Sequence, residues 1–407
     1  MLGGVKLALW GLECQSFPYV LNVLLASEKV AGKLHVAVVG AGAFGGWTAL
    51  SLLQHGCRVT LVDAWGPGNP RSSSGGESRI IRGTYGPDQP YTKMTARALQ
   101  LWREHEKQSP VPLLHRTGVL WMATAGDDRF ERGSLAALQE AGLPYEELSV
   151  ESMATRWAQI NFEGVRWGIY EPESGVLMAR TACQTVLARC LREGGEYQQA
   201  VVLPGRSETS YRDGLTLSDG SKLIADKYVF ACGPWLRTLF PDTLGQCLRV
   251  TKQDVFFFGT PAGDDRFSAG KLPVWADHRE RFLYGMPSID GRGIKIADDT
   301  RGPEFDPTLG DRSVNAESLE MIRRYVGFRF PAMRGAPLVE TRVCQYENSP
   351  DNHFIIDRHP QAENLWIVGG GSGHGFKHGP VVGERVAEWV VKEQSPEPVF
   401  RLDRFGK

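Results

Sequence analysis

His35-Val36-Ala37-Val38-Val39 runs straight into Gly40-Ala41-Gly42-Ala43-Phe44-Gly45, and the fold of the chain turns on how this stretch is read. The first five residues form a short β-branched run, the pattern of a parallel strand buried on both faces. Trp47–His55 carries helical spacing, Gly56 closes it, and Arg58–Val62 is a second apolar strand ending in Asp63. Together they predict a βαβ unit of about thirty residues. Gly40, Gly42 and Gly45 form G-x-G-x-x-G between strand and helix. The first glycine permits the tight turn, the second lets backbone approach a pyrophosphate, and the third lets the helix pack on the strand. The helix start offers free N–H groups and partial positive charge to phosphates. Asp63 falls at the end of the second strand, where a carboxylate accepts from ribose hydroxyls. This is a dinucleotide site, and the motif leaves NAD and FAD both open.

Composition narrows the field around that unit. The chain has 407 residues with 46 basic and 47 acidic side chains, a formal charge of −1. A binder of nucleic acid by counterion release carries a basic excess, which is missing here. The length suits two or three domains, or two interleaved ones. The 47 glycines exceed an average share of about 7% and point to turns near phosphates. Seven scattered cysteines without a C-x-x-C pair argue against a disulfide framework, a cysteine zinc site or an iron–sulfur run. A reducing, cytoplasmic location follows, and the absence of an N-x-S/T sequon agrees. Residues 1–33 read as an N-terminal extension outside the fold, with a weak signal peptide as the lesser alternative. Glu13, Cys14 and Gln15 interrupt their apolar runs, so no membrane span is expected.

Farther along, helices are expected over Met94–Ser109, Ser134–Ala141, Val150–Ala158, Thr181–Arg192, Glu317–Phe328 and Pro380–Lys392. Strands are expected at Val119–Met122, Ala200–Val202, Gly214–Leu217, Lys227–Phe230 and Leu365–Val368. Val255–Phe258, Phe282–Tyr284 and Gly293–Ile296 read as an antiparallel sheet. The expected fold is α/β: a Rossmann-like dinucleotide domain (34–120, 168–246 and 336–398) interleaved with an α+β, antiparallel-sheet substrate domain (121–167 and 247–335).

The segment Ser74-Gly75-Gly76-Glu77-Ser78-Arg79-Ile80-Ile81-Arg82 decides between the dinucleotides. It resembles the Gly-(Asp/Glu)-(Ser/Thr)-Arg-Ile-Ile-Arg segment of monomeric sarcosine oxidases, in the FAD-dependent glycine/D-amino acid oxidase (DAO) superfamily. The likeness continues through Glu173–Leu177, Ala231–Trp235, Tyr284–Ser288 and Gly293–Lys295. It is densest at Cys344-Gln345-Tyr346, Asp351–Asp357 and Ser372–Lys377. The chain is thus identified as a member of the sarcosine oxidase / N-methyltryptophan oxidase group.

That resemblance implies FAD held covalently through Cys344, and a catalytic pair, Lys295 and Arg79, beside the flavin. Lys295 matches a lysine that promotes oxygen reduction, where a cation stabilises developing negative charge. Arg82 and Lys377 match the pair that binds the substrate carboxylate, and Tyr284 and Tyr346 match walls of the substrate cavity. Gly373, His374, Gly375 and Phe376 match the cofactor-binding turn before the last helix, with His374 contributing backbone rather than a base. The implied reaction is oxidation of N-methyl or cyclic amino acids. A hydride passes from the C–H next to nitrogen to flavin N5, the imine hydrolyses, and O2 becomes H2O2. A monomer is expected.

Two positions depart from the group's pattern. Asp299 stands where a histidine follows the lysine by four residues, which favours a cationic or larger polar amine. Ser74 or Gly75 replaces another histidine. Two rivals share the motif: a dehydrogenase passing electrons to another acceptor, and a non-catalytic FAD-binding paralogue. His353, Asp357 and His359 lack metal-ligand spacing, so no metal is expected. No G-x-x-x-x-G-K-[ST] loop or G-x-S-x-G elbow occurs.

Overall fold

The computed structural model describes residues 32–87, 90–124 and 126–406. The expected extension therefore lies outside the described residues up to position 31.

His35–Val39 sits inside a six-stranded sheet, paired in parallel with Arg58–Asp63 on one side and Lys227–Phe230 on the other. Ala362–Gly369 and Glu196–Gln199 continue the parallel set outward, and Ile355–His359 closes one edge antiparallel. The strand's continuous apolar run has a simple cause. Val36 and Val38 face one core with the flanking helices, while Ala37 packs into a second core with Tyr211, Phe230 and Phe240. Both faces are covered, so polar alternation disappears.

The first helix spans Ala43–Gln54 and thus begins four residues before the periodic pattern at Trp47. Gly45 and Gly46 fall in its first turn because it lies against the sheet. A Cβ on Gly45 would fall 1.8 Å from the Gly40 carbonyl oxygen. On its other side, Gly383 of the helix Gly379–Lys392 approaches the Trp47 backbone closely enough that a Cβ there would lie 2.6 Å away. Close packing of three backbone layers sets this helix, and hydrophobic spacing alone could not show its start.

A second sheet of eight strands runs in the order Leu338–Asn348, Arg249–Phe258, Ile294–Asp298, Phe282–Met286, Val274–His278, Val119–Thr124, Val165–Glu171, Glu146–Ser149. It is antiparallel except where Val274–His278 meets Val119–Thr124 in parallel. A small third sheet joins Ser78–Ile81, Gly175–Met178 and Leu114–His115.

Two expectations change. The strand near residue 200 is Glu196–Gln199, paired with Arg58–Asp63; beyond it, Val202 makes only an isolated bridge to Leu217. Its polar sequence, Glu-Tyr-Gln-Gln, suits an edge strand and hid it from a search for apolar runs. Leu338–Asn348, assigned by sequence to the dinucleotide side, pairs along its length with Arg249–Phe258. Val119–Thr124 and Val165–Glu171 likewise cross the expected boundaries at 120/121 and 167/168. Backbone pairing, invisible in a single strand's pattern, therefore carries all three strands into the large sheet.

Candidate active site

A cavity of about 630 Å³ opens at the carboxyl ends of the parallel strands and extends under the eight-stranded sheet. This crevice is where open α/β sheets bind nucleotides, and its size falls within the range for ligand sites.

The first βα turn forms one end. Gly40 has φ +107°, and a Cβ there would sit 2.3 Å from the Ala231 carbonyl oxygen, so the turn tolerates only glycine. Gly40 and Gly42 line the cavity, whereas Gly45 does not, because it packs helix on strand. Asp63 also lines it. Its Oδ2 accepts from Ala41 N at 2.7 Å and its Oδ1 from Trp65 N and Gly66 N at 2.9 and 2.8 Å. Burial raises its carboxyl above the ordinary value, and those three N–H groups act against the rise. Ser74, one of the two residues standing in for a histidine, caps the helix: its Oγ accepts from Ala43 N at 2.9 Å.

The other end gathers cations and aromatic rings. Arg79 lies on Ser78–Ile81, and its guanidinium is pinned by the carbonyl oxygens of Ser73, Gly75 and Ser78 at 2.5–2.7 Å. Its Nη2 is 3.7 Å from Cys344 Sγ, on the strand Leu338–Asn348. Lys295 is 5% exposed and does not line the cavity; it sits behind the wall, donating to Ser78 O at 2.7 Å. Burial lowers its pKa well below the ordinary lysine value, and the Arg79 charge lowers it further.

Arg82 and Lys377 are 295 positions apart and meet on one ring. The Arg82 guanidinium stacks 4.6 Å from the Tyr85 ring and 4.9 Å from Trp121. Lys377 Nζ donates to Tyr85 Oη at 2.8 Å and to the His374 carbonyl at 2.9 Å. Burial, then the Arg82 charge, hold Lys377 well below its usual pKa. An entering carboxylate would oppose both effects. Facing them, Tyr346 Oη donates to Asp299 Oδ1 at 3.0 Å and lies 3.4 Å from Tyr284 Oη. Asp299 points into the cavity and pairs with Arg301 at 3.6 Å, while neighbouring Asp298 turns away to Arg281. Burial raises the Asp299 carboxyl, and Arg301 pulls it down.

Gly373, His374, Gly375 and Phe376 line the cavity where the last turn leads into the helix Gly379–Lys392. Gly373 has φ +81°, and a Cβ on it would fall 2.6 Å from the Tyr346 ring. The His374 ring is occupied by Asn352 O at 3.0 Å and Tyr85 Oη at 3.3 Å. Burial, then the Lys377 charge, lower its pKa well below the usual value. Tyr85, Arg301 and Glu347 went unassigned in the sequence. Tyr85 had the clearest signal, three residues past Arg82 in the motif; Arg301 and Glu347 became functional candidates only through folding.

Among the described residues, no group of three or more His, Cys, Asp or Glu is placed to hold a metal ion. His359 instead pairs with Glu208 at 3.1 Å. No helix among them is long and apolar enough to cross a membrane.

A parallel sheet with a glycine-rich first turn, opening into a pocket lined by Arg79, Arg82 and Lys377, defines a dinucleotide-binding protein. The chain belongs to the DAO family, FAD dependent oxidoreductase, which matches residues 35–389. It is 31% identical over 378 residues to monomeric sarcosine oxidase of Bacillus sp. (strain NS-129), covering 91% of this chain and 96% of that protein. To N-methyl-L-tryptophan oxidase of Salmonella enteritidis PT4 (strain P125109) it is 30% identical over 391 residues, 92% of this chain and all of the relative. In fold it is similar to L-proline dehydrogenase from P. horikoshii, with TM-score 0.79 and 21% identity over 92% of this chain and 98% of that one. Family membership makes the dinucleotide FAD. The residues fit that group: glycines leave the turn open to a pyrophosphate, and the cavity joins that turn to the cation-lined pocket.

Proposed function

We propose that this chain is an oxidase of amino acids bearing an N-methyl or cyclic secondary amine, using O2 and releasing H2O2. The observation that carries this reading is the convergence of Arg82 and Lys377 on Tyr85, in the cavity that Arg79 and Cys344 also line. Two cations, Lys377 buried and Arg82 partly buried, suit a carboxylate, and a simple amine would leave them uncompensated.

Bound FAD supplies the redox chemistry, taking two electrons from the substrate C–H next to nitrogen and passing them to dioxygen. The chain supplies position and charge. Arg82 and Lys377 hold the carboxylate, and Tyr284 and Tyr346 flank the amine. Tyr346, fixed by Asp299, sets the depth of the pocket. Asp299 favours a substrate with a cationic or polar extension, which would share the carboxylate with Arg301. Arg79 and Lys295 place positive charge where oxygen is reduced. Gly40, Gly42 and Asp63 hold the dinucleotide end, and Gly373, His374, Gly375 and Phe376 its flavin end. Cys344, which lines the cavity, would hold the flavin as a thioether through its Sγ. The imine product hydrolyses in water. The protein acts as a monomer in the cytoplasm, its dinucleotide part built on the six-stranded sheet and its substrate part on the eight-stranded one.

A peroxide-coupled screen of N-methyl, cyclic and glycated amino acids tests the reaction. Peroxide release with at least one of them is expected. Flavin bleaching without peroxide would make the chain a dehydrogenase, and no bleaching with any amine would remove the catalytic reading. Acid precipitation tests the linkage: flavin should stay in the pellet of the native protein and move to the supernatant in Cys344→Ser. Flavin in the native supernatant would refute the thioether.

A further inference from the structure

Glu347 belongs to no part of the reaction above, yet it lines the cofactor cavity. It is 6% exposed, on the strand Leu338–Asn348, one residue past Tyr346. Its Oε1 accepts from Gly371 N at 3.2 Å, and its Oε2 has no hydrogen-bond partner among the described residues. The surroundings are unusual for a carboxylate. Oε2 sits at the carboxyl ends of Lys227–Phe230 and Ala362–Gly369. A Cβ on Gly369 would lie 3.5 Å from it, and one on Gly233 would lie 3.7 Å away. Oε2 is thus enclosed beside backbone that carries no Cβ. An anion buried without a basic partner costs several kcal/mol, so such a group takes up a proton instead.

We propose that Glu347 is a neutral carboxylic acid whose Oε2–H donates a hydrogen bond to an oxygen of the ribityl-diphosphate portion of bound FAD, making cofactor retention depend on pH. The inference rests on the FAD reading of the cavity. A protonated carboxyl can donate where a carboxylate can only accept, and phosphate and hydroxyl oxygens are acceptors. A deprotonated Glu347 would set one anion against another.

Burial pushes the Glu347 carboxyl up to about 8. The titratable group beside it is the Cys232 thiol, itself raised by burial, by Asp63 and by Glu347. From the other side it meets the Gly371 amide, and its cross-strand neighbour is apolar Val250. The sign follows: FAD that accepts from the acid form raises the carboxyl further, so binding takes up a proton above pH 8. Affinity is then complete below about 8 and falls as pH rises beyond it.

The test uses Cys344→Ser holoenzyme, in which no thioether can hold the flavin. FAD release is followed by the fluorescence of liberated flavin from pH 6 to 9.5. The dissociation constant should be flat to pH 7 and rise about tenfold by pH 9. Adding Glu347→Gln, which keeps a donor that does not titrate, should retain tight binding and flatten the profile. Glu347→Met, of similar length without a donor, should weaken FAD about tenfold at pH 7, again with a flat profile. A Gln variant with the parent's pH profile overturns the proposal, as does a Met variant that binds like the parent. Protein purified without flavin, and taking up none at any pH, would overturn the FAD reading as well.

Discussion

In Lys295→Met, the reduced enzyme will react with oxygen about 10²–10³-fold more slowly, the loss typical when one preorganised charge is removed from developing anionic character. Reduction of the flavin by substrate will change little, because Lys295 lies behind the cavity wall on Ser78 rather than in the substrate pocket. Stopped-flow measurement of the two half-reactions separates these effects. Methionine keeps the unbranched apolar stem, so packing is disturbed least. The native profile carries a second signature. Burial and Arg79 hold the Lys295 pKa well below the ordinary value. The cation is therefore present at lower pH and lost as pH rises through that lowered pKa, and the oxygen rate constant should fall with it. The Met variant should lose this titration. Equal oxygen rates in native and variant enzyme would leave Lys295 with only its structural contact to Ser78.

The second large effect concerns the carboxylate pair. A hydrogen bond to a charged group contributes roughly 1.5–3 kcal/mol. Arg82→Met and Lys377→Met should therefore each lower kcat/KM about 10–100-fold for an amino acid substrate, mainly through KM. The same variants should leave a carboxyl-free amine analogue nearly untouched. Both cations lean on Tyr85, so the double variant should deviate from the product of the single effects. Burial and Arg82 lower the Lys377 pKa. Amino-acid affinity should then weaken as pH rises through that lowered value, and Lys377→Met should flatten the trend. Equal losses for the amino acid and the analogue would place these residues in folding rather than recognition.

How much of this was legible in the chain depends on the range of the interaction involved. The first turn was plain from residues 35–63, because strand, glycine spacing and terminal acid are local and each restricts backbone geometry directly. The family motifs likewise marked Arg79, Arg82, Cys344 and Lys377 one by one. Glu196–Gln199 was missed because a polar edge strand carries no apolar run. The pairing of Leu338–Asn348 with Arg249–Phe258 was not legible, because a strand does not encode its partner's identity in its own pattern.

Asp299 shows the same divide more sharply. Adjacent aspartates, Asp298 and Asp299, look alike in sequence. Only the fold turns one to Arg281 on the surface and the other onto Tyr346 in the cavity. Glu347 carried no signal at all, since the meaning of a carboxyl group depends on whether water or a cation reaches it. The local code thus specified the dinucleotide turn and the kinds of side chain available for chemistry. Which of them are buried, which share Tyr85, and which titrate out of their usual range were decided by long-range packing, because charge acts through space and solvent rather than along the chain.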